Sequence, residues 1–375
     1  MRTIAFYLPQ FHPTPENDLW WGKGFTEWTN VAKAKPLFKG HHQPQIPADL
    51  GFYDLRLEEA RIAQAELARE YGIGGFCYYH YWFNGKMLLE RPFNEVLTAG
   101  KPDFPFCLCW ANENWTRRWD GLEQEVLVSQ KYTDYDPVQH ADWLVNAFLD
   151  ERYIKINKRP LFLVYRADHI PGIDDVIRTW RKHAAEKGLP NLYLCAVKNN
   201  QYSLSDDDTI KAGFDALVEF MPNPKDLKGT EVNLKLVTVI RMLNNFIDKF
   251  KLNNILKKKS DYVKYDYSKI VEKVILRGKF KHKTFPCVFP CWDNTARRRF
   301  GITVIQNNDS SLYAKWLNDA LHRVDDYEDE EKLVFINAWN EWAEGCHLEP
   351  DLRNGRRFLE ATRDAVNSFG ARLQN

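Results

Sequence analysis

Short apolar runs alternate with longer amphipathic stretches along nearly the whole chain. The apolar runs have the length of buried strands, and we expect strands at residues 4–8, 74–79, 106–110, 161–165, 192–197, 216–220, 287–290 and 333–336. The stretches between them repeat apolar residues at helical spacing, which predicts helices at 55–71, 91–99, 137–151, 174–187, 234–256, 310–324 and 356–369. About eight strands that alternate with helices are typical of a (β/α)8 barrel, the TIM barrel of the α/β class.

A doubly wound open sheet is the alternative fold for this pattern. Such a sheet binds its ligand at one switch point, often with a glycine-rich phosphate loop. No Gly-x-Gly-x-x-Gly or phosphate-loop motif follows any predicted strand. Polar and aromatic residues instead follow nearly every strand, as expected when one face of a barrel builds the site. The pattern therefore favours a single (β/α)8 barrel over residues 1–375.

Residues 225–283 differ in composition from the rest of the chain. They carry 16 Lys and Arg against 6 Asp and Glu, an excess of +10 that leaves −9 for the remaining residues. They lie between predicted strands six and seven, so we interpret them as an elaborated basic excursion within the barrel. An apolar stripe at helical spacing lies in it: Leu236, Ile240, Leu243, Ile247 and Phe250. One interpretation is a barrel helix that packs this stripe on the sheet. The other is a basic amphipathic helix that rests on an anionic membrane or binds a lipid-linked glycan.

Charge, cysteine content and hydrophobicity limit which functions and cellular locations are expected for this chain. A net charge of +1 gives no general case for binding nucleic acid. The seven cysteines include no Cys-x-x-Cys pair, which predicts small buried thiols in a reducing compartment rather than a disulfide framework or a zinc site. Met1 and Arg2 lead directly into the first predicted strand, and no run of roughly 18 apolar residues occurs. We therefore expect a cytoplasmic protein, peripheral to the membrane if the basic excursion rests on lipid.

The last predicted strand runs into a segment that combines carboxylates with tryptophans. Glu341, Glu344 and Glu349 follow the strand beside Trp339 and Trp342. Carboxylates at the mouth of a buried strand are costly to desolvate, so their presence there indicates chemistry. Indole rings stack on the apolar face of a sugar, and two carboxyl groups supply the acid and the base that its acetal needs. The segment therefore predicts a carbohydrate-active site.

Glu341 and Glu344 are the candidate catalytic pair. Their spacing places both side chains on one side of a helical turn or a tight loop, where they can bracket one glycosidic bond. The alternative is the acidic start of a regular helix, but Gly345 and Pro350 follow too closely for one. A carboxyl separation of roughly 5–5.5 Å suits retention of configuration and one of roughly 6.5–9.5 Å suits inversion. Sequence spacing leaves both outcomes open.

Rings, amides and charged groups near the strand ends are candidates for binding the substrate. They are Tyr7, His12, Trp20, Trp21, Tyr79, His80, Tyr81, Trp110, Asn112, Glu113, Trp115, Arg117, Tyr165, Trp292, Asp293, Arg297, Trp339, Asn340, His347 and Glu349. Rings stack on a pyranose, and amides and carboxylates hold its hydroxyl groups.

Several of these candidates have a structural alternative. His80 can be a buried structural histidine, and Trp20 and Trp21 can cap the barrel. Glu113 and Asp293 can form ion pairs with neighbouring arginines instead of contacting a sugar.

Five segments resemble, in order, motifs of the WbsX-type proteins. They are 4–12 (IAFYLPQFH), 20–28 (WWGKGFTEW), 75–82 (GFCYYHYW), 110–115 (WANENW) and 340–345 (NEWAEG). WbsX-type proteins are glycoside hydrolase family 99-like domains of bacterial O-antigen and capsule gene clusters, and they are often described as glycosyltransferases. The resemblance covers nearly the whole chain, and the basic excursion is its least informative part.

The resemblance implies a (β/α)8 barrel that acts on oligo- or polysaccharides without a metal or a cofactor. The family 99 enzymes are retaining endo-α-mannosidases and endo-α-mannanases with a Trp-Asn-Glu-Trp-x-Glu-Gly-like segment after strand eight. Carried over, Glu341 withdraws the proton of the sugar's 2-hydroxyl group, so that this oxygen attacks the anomeric carbon. Glu344 protonates the leaving oxygen and then activates the incoming nucleophile, a role that requires a raised pKa.

Three functions follow as hypotheses. The first is a retaining glycosidase or transglycosylase that acts within a glycan. The second is a glycosyltransferase of O-antigen or capsular polysaccharide synthesis; the barrel prediction and the lack of a phosphate-loop motif argue against a nucleotide-sugar donor, which leaves a lipid-linked one. The third is a glycan-binding barrel without catalysis, against which the intact Glu341 and Glu344 pair argues.

Overall fold

The computed structural model describes residues 1–117, 122–199, 201–250 and 260–373. Its strands, in chain order, are β1 (Arg2–Tyr7), β2 (Phe76–Phe83), β3 (Lys86–Leu88), β4 (Phe106–Trp110), β5 (Trp115–Arg117), β6 (Leu122–Val128), β7 (Lys155–Ile156), β8 (Arg159–Val164), β9 (Tyr193–Lys198), β10 (Ala216–Glu219), β11 (Tyr262–Asp266), β12 (Thr284–Phe285), β13 (Cys287–Val288), β14 (Trp292–Asp293), β15 (Ile302–Gln306), β16 (Leu333–Ile336), β17 (Asn340–Glu341) and β18 (Cys346–His347). Its α-helices are α1 (Pro15–Trp21), α2 (Glu27–Lys33), α3 (Glu58–Glu70), α4 (Arg91–Ala99), α5 (Pro137–Phe148), α6 (Ile173–Glu186), α7 (Asp206–Lys211), α8 (Pro224–Leu227), α9 (Leu234–Lys249), α10 (Tyr267–Ile275), α11 (Ser310–Arg323) and α12 (Arg357–Leu373).

A ring of parallel strands forms the core of the fold. β1, β2, β4, β8, β9 and β10 pair in that order, and β16 pairs with the other side of β1. Residues 284–288 complete the ring, because β12 pairs with β10 while β13 pairs with β16. Between them, the Pro286 carbonyl accepts a hydrogen bond from the Phe335 amide at 2.9 Å. The predicted (β/α)8 barrel is confirmed, and the open doubly wound sheet is not what this chain forms.

Helices cover the outside of the barrel, so its strands are apolar on both faces. Every residue of β4 and of β16 is buried. The covering helices bury one stripe each; α6, for example, buries Ile173, Val176, Ile177, Trp180 and Ala184. The seven predicted helices are present and differ from the observed ones mainly at their ends, as in α5, which stops at Phe148 instead of residue 151. The other five helices of the described ranges, α1, α2, α7, α8 and α10, were not predicted.

The basic excursion lies between the sixth and seventh barrel strands, as predicted. It contains α8, α9, β11 and α10. β11 pairs in parallel with β15, and β15 pairs antiparallel with β14. A second, three-stranded sheet therefore ties the excursion to the segment that follows β13.

Helix α9 differs from the prediction in the face that it buries. Val237 and Ile247 are buried, but Leu236, Leu243 and Phe250 of the predicted stripe are 48%, 52% and 55% exposed. The interpretation that the whole stripe packs on the sheet is therefore wrong. The predicted helix residues 251–256 lie outside the described part of the chain.

All seven cysteines are buried free thiols, as the sequence predicted. Within the described ranges, no helix combines the length and apolarity needed to cross a bilayer.

Candidate active site

A cavity of about 400 Å³ opens at the carboxyl ends of the barrel strands. Each barrel strand contributes at least one residue at or just past its end: Leu8, Tyr81, Ala111, Tyr165, Asn199, Phe220, Trp292 and Glu341. TIM-barrel enzymes place their active sites on this face, because the loops that vary between them all meet there. The cavity is therefore the candidate active site.

A tight hairpin after β16 carries the candidate catalytic pair. β17 and β18 pair antiparallel, with Glu341 opposite Cys346, and a 3-10 turn at Trp342–Glu344 joins them. Glu341 and Glu344 both line the cavity. A hairpin rather than a helix start therefore brings the two carboxyl groups to one wall.

Gly345 allows this turn to pack closely against the backbone at Asp293. Its φ of 56° lies in the left-handed region. A Cβ atom at this position would lie 2.7 Å from the carbonyl oxygen of Asp293. Only glycine adopts this φ readily and also lacks the Cβ atom that would clash, so the hairpin can pack directly on the loop after β13.

Arg297 joins the two candidate carboxylates. Its Nη1 lies 2.6 Å from Glu344 Oε1 and 3.7 Å from Glu341 Oε2. These two oxygens are therefore no farther apart than the sum of the two distances. That limit is below the separation of roughly 6.5–9.5 Å that is typical of inverting glycosidases. The limit places one oxygen of each carboxyl group close enough to act on a single glycosidic bond.

Burial raises the pKa of Glu341 well above its ordinary value. The neighbouring charge of Glu344 raises it further, and the Arg297 guanidinium lowers it. The Glu341 side chain is only 7% exposed, which accounts for the dominant effect of burial.

Glu27 is a third carboxyl group beside the pair, and the sequence analysis did not select it. It begins α2, is fully buried, and accepts a hydrogen bond from the Ala343 amide at 3.0 Å. Burial raises the pKa of Glu27 to about 7, while Arg297 and the Ala343 amide lower it. Its place in the motif 20–28 was visible, but its partner lies 316 residues away in the sequence. Only the folded chain shows that it supports the turn between the two glutamates.

Comparison with known families identifies the chain. The profile of the family described as "Glycosyltransferase WbsX" matches residues 3–362. The chain belongs to the WbsX family. The uncharacterized protein WxcX of Xanthomonas campestris pv. campestris, strains B100 and ATCC 33913, is 40% identical over 364 residues, which make up 97% of this chain and 49% of that protein. The WbsX-family chain thus spans about half the length of the curated relatives it matches.

Two solved structures share the fold of this WbsX-family chain. The GH99 endo-alpha-mannosidase of Bacteroides thetaiotaomicron has a TM-score of 0.58 at 13% identity, over 100% of this chain and 99% of that one. A glycoside hydrolase-like protein has a TM-score of 0.56 at 13% identity, over 97% of this chain and 93% of that one. At such identities, the likeness shows a shared fold.

Seven of the predicted binding residues of the WbsX-family chain line the cavity: Tyr79, Tyr81, Glu113, Trp115, Tyr165, Trp292 and Arg297. Tyr79 and Tyr81 come from the inward face of β2, since side chains alternate along a strand. Glu113 also pairs with Arg166 Nη1 at 3.1 Å. These residues give the cavity both ring faces and charged groups.

Three predicted binding residues lie on the outer face of the barrel instead. His80 Nε2 lies 3.0 Å from His140 Nε2 of α5. The Tyr7 hydroxyl donates to Gln64 Oε1 at 2.7 Å, and Trp110 is fully buried under the helices. Placing these three in the site was wrong, because their strand positions point toward the helical layer.

The remaining candidates after β16 support the hairpin: Trp339, Asn340, His347 and Glu349. All four are buried and none lines the cavity. Asn340 accepts from the Leu8 amide at 2.7 Å and donates to the Leu8 carbonyl at 3.1 Å. The His347 ring stacks on Trp342 at 3.7 Å. The prediction of substrate contact is corrected here, since these side chains fix the hairpin to the end of β1.

The loop after β1 also supports the site from outside the cavity. His12 is buried, and burial lowers its pKa to about 4. The Trp20 ring lies 6.3 Å from the ring of Trp115, which lines the cavity. Trp21 packs on Phe25 at 5.8 Å. In place of the predicted sugar contacts, Trp20 and Trp21 pack on neighbouring rings.

Asn112 and Asp293 hold loops rather than line the main cavity. The Asn112 side chain accepts from the Arg166 amide and donates to its carbonyl, both at 2.8 Å. Asp293 Oδ2 lies 2.7 Å from both His41 Nε2 and Gln43 Nε2. The predicted contacts of both with substrate are therefore corrected. The side chain of Arg117 lies outside the described part of the chain.

The structure adds cavity residues that the sequence analysis did not select: Leu8, Gln10, Ala111, Asn114, Thr116, Asn199, Phe220, Pro222, Pro224, Leu227, Asn294, Arg298 and Thr303. Four of these, Leu8, Gln10, Ala111 and Asn114, stand inside motifs that the analysis used, and Asn199 follows the fifth strand. Amide side chains that follow strand ends were the feature of the sequence that could have identified Gln10, Asn114 and Asn199. Leu227 belongs to the basic excursion, which therefore forms part of the cavity wall.

The buried network around Glu349 predicts a pH-dependent stability. Its carboxylate accepts hydrogen bonds from Tyr53, Gln64 and Trp342, yet burial raises its pKa to about 7. A raised carboxyl pKa means that the folded state retains the proton longer, so stability falls as pH rises from about 4.5 to about 7. We expect Glu349→Gln to remove about 3 kcal/mol of this decline.

Urea unfolding at about pH 5 and pH 8 measures that difference. The control is Glu360→Gln, an exposed glutamate on α12. An equal pH dependence in wild type and Glu349→Gln would contradict the assignment.

Proposed function

We propose that this WbsX-family chain is a carbohydrate-active enzyme that breaks a glycosidic bond within an oligo- or polysaccharide. The supporting observation is the meeting of Glu341 and Glu344 around Arg297 on the wall of a ring-lined cavity. Tyrosine and tryptophan rings provide stacking surfaces for sugars, and the two carboxyl groups provide acid and base. We expect retention of configuration, as the family resemblance implies.

The proposed reaction has two steps, in the order that the family resemblance implies. Glu341 takes the proton of the 2-hydroxyl group, O2 bonds to the anomeric carbon, and the glycosidic bond breaks as Glu344 protonates the leaving oxygen. An incoming hydroxyl then gives its proton to Glu344 and bonds to the anomeric carbon. The bond from O2 to that carbon breaks, and O2 recovers its proton from Glu341. Both carboxyl groups end in their starting state.

Burial favours the proton on Glu341, whereas the proposed reaction starts with the proton on Glu344. We propose that the substrate moves it. A 2-hydroxyl that donates to Glu341 stabilises the carboxylate there, and the leaving oxygen accepts from a protonated Glu344.

Transfer to a sugar hydroxyl is the second candidate outcome. Water and a sugar hydroxyl are alternative acceptors for the same two carboxyl groups. The family description as a glycosyltransferase favours the sugar acceptor. A lipid-linked oligosaccharide is then the donor to test.

Incubation with α-mannan, O-antigen polysaccharide and lipid-linked oligosaccharide tests the proposal. New reducing ends indicate hydrolysis, and longer products that depend on added acceptor indicate transfer. Retention requires that the product's first anomeric form, observed by NMR, match the substrate. Binding of a glycan without any product, under conditions where the protein is folded, would instead support a non-catalytic barrel.

A further inference from the structure

The outer face of α9 is apolar and open to solvent. Six large apolar side chains on this face are each 48–65% exposed: Leu236, Val239, Met242, Leu243, Phe246 and Phe250. At 100° per residue they occupy one continuous sector of the helix. Soluble proteins rarely leave a contiguous apolar patch of this kind without a partner. We call these six residues the α9 face.

The opposite side of the helix is attached to the protein. Val237 and Ile247 are buried, and Arg241 Nε lies 2.7 Å from Asp261 Oδ2. Phe246 and Phe250 contact each other, with ring centroids 4.5 Å apart. The helix is therefore held by its inner side, and the α9 face is presented outward.

Positive charge surrounds the α9 face. Lys235 and Lys249 are exposed near the two ends of α9, and the sequence continues with Lys251, Lys257, Lys258 and Lys259. Two acidic groups of the excursion are already engaged, Asp226 with Arg277 and Asp261 with Arg241. The sequence of residues 225–283 as a whole carries an excess of +10 positive charges.

We propose that the α9 face docks on the surface of an anionic lipid bilayer. An apolar helix face flanked by lysines is the arrangement that inserts at the boundary between head groups and acyl chains. Each basic residue near the surface adds attraction to anionic lipid. A second copy of the chain is disfavoured as the occupant, because two excursions of +10 repel each other.

Docking has a consequence for the cavity. The excursion that carries the α9 face also contributes Leu227 to the cavity wall. A docked chain therefore holds its glycan cavity close to the membrane, where lipid-linked or surface glycans are concentrated. The docking itself does not depend on the proposed reaction, because the bilayer surface is the ligand.

Vesicle flotation of the full chain tests the proposal without any glycan. We expect the ratio of bound to free protein to be at least about tenfold higher on phosphatidylcholine vesicles with about 30 mol% phosphatidylglycerol than on phosphatidylcholine alone. Raising NaCl from about 0.1 M to 0.5 M should reduce it, since salt screens the lysines. Met242→Ser with Phe246→Ser should lower binding by at least about tenfold, and Lys235→Gln with Lys249→Gln should weaken it on anionic vesicles only.

The matched control is Leu276→Ser, which removes an apolar side chain that is 85% exposed elsewhere in the same excursion. It should bind vesicles like wild type, and circular dichroism checks that every variant is folded. Wild-type protein that does not float with anionic vesicles would overturn the proposal. The proposal would also be overturned if vesicle binding is absent and sedimentation velocity shows a dimer that the double variant Met242→Ser with Phe246→Ser abolishes. Loss of turnover with intact flotation would contradict only the proposed enzyme.

Discussion

Replacing Glu344 by glutamine is expected to lower turnover by between about a hundredfold and ten-thousandfold while the glycan still binds. The amide keeps the shape of the side chain beside Arg297 but cannot protonate a leaving oxygen. The loss should shrink for a substrate with a highly acidic leaving group, because such a group departs without protonation. Steady-state kinetics on a polysaccharide and on an activated aryl glycoside of the same sugar measure the two losses.

Glu341→Gln provides the matched comparison. It removes the base for the 2-hydroxyl proton, so its loss should be equally large for both leaving groups. Glu66→Gln, an exposed glutamate on α3, serves as the control and should retain wild-type rates. If the leaving-group effect belongs to Glu341→Gln instead, the roles of the pair are reversed. Full activity in both variants would remove the pair from the mechanism.

Replacing Arg297 by glutamine is expected to impair both stability and turnover. The guanidinium lies between Glu341 and Glu344, with Glu27 close behind the turn, and 24% of its side chain is exposed. Removing the cation leaves carboxylates without compensation, which costs about 3 kcal/mol of unfolding free energy near pH 7. The cost should be smaller near pH 5, because protonated carboxyl groups need no countercharge.

The pH profile of the Arg297→Gln variant tests the same electrostatics in the catalytic step. Arg297 lowers the pKa of Glu341, so its removal raises that pKa further. Since Glu341 must be ionised to act as a base, the acidic limb of kcat/KM should move to higher pH. Arg299→Gln, an exposed neighbour, is the control. An acidic limb that stays in place would show that Arg297 does not set the ionisation of the pair.

The barrel could be predicted because its signals are local. Apolar runs and helical spacing repeat every few residues, and each is a property of one short segment. α4 matches its predicted bounds of 91–99. The short strands β14 and β15 were not predicted; β14 pairs with β15, and β15 pairs on its other side with β11 of the distant excursion.

The faces of aromatic strands were harder to predict. β2 reads FCYYHYWF, and nearly all of it is buried, since helices cover one side and the barrel interior the other. No alternation of polar and apolar residues therefore marks the inward positions. For this reason, His80 was placed in the site together with Tyr79 and Tyr81, although its ring faces α5.

The sequence by itself determined the alternation of strands and helices, the basic excursion, and the pair of glutamates after the last strand. Each of these is carried by neighbouring residues, so local periodicity and chemistry are sufficient. Only the tertiary structure decided that Arg297 joins the pair, that Glu27 supports it, and that the α9 face is exposed. Closure of the barrel sets these distances between residues far apart in the chain, and the electrostatics of the site follow from them.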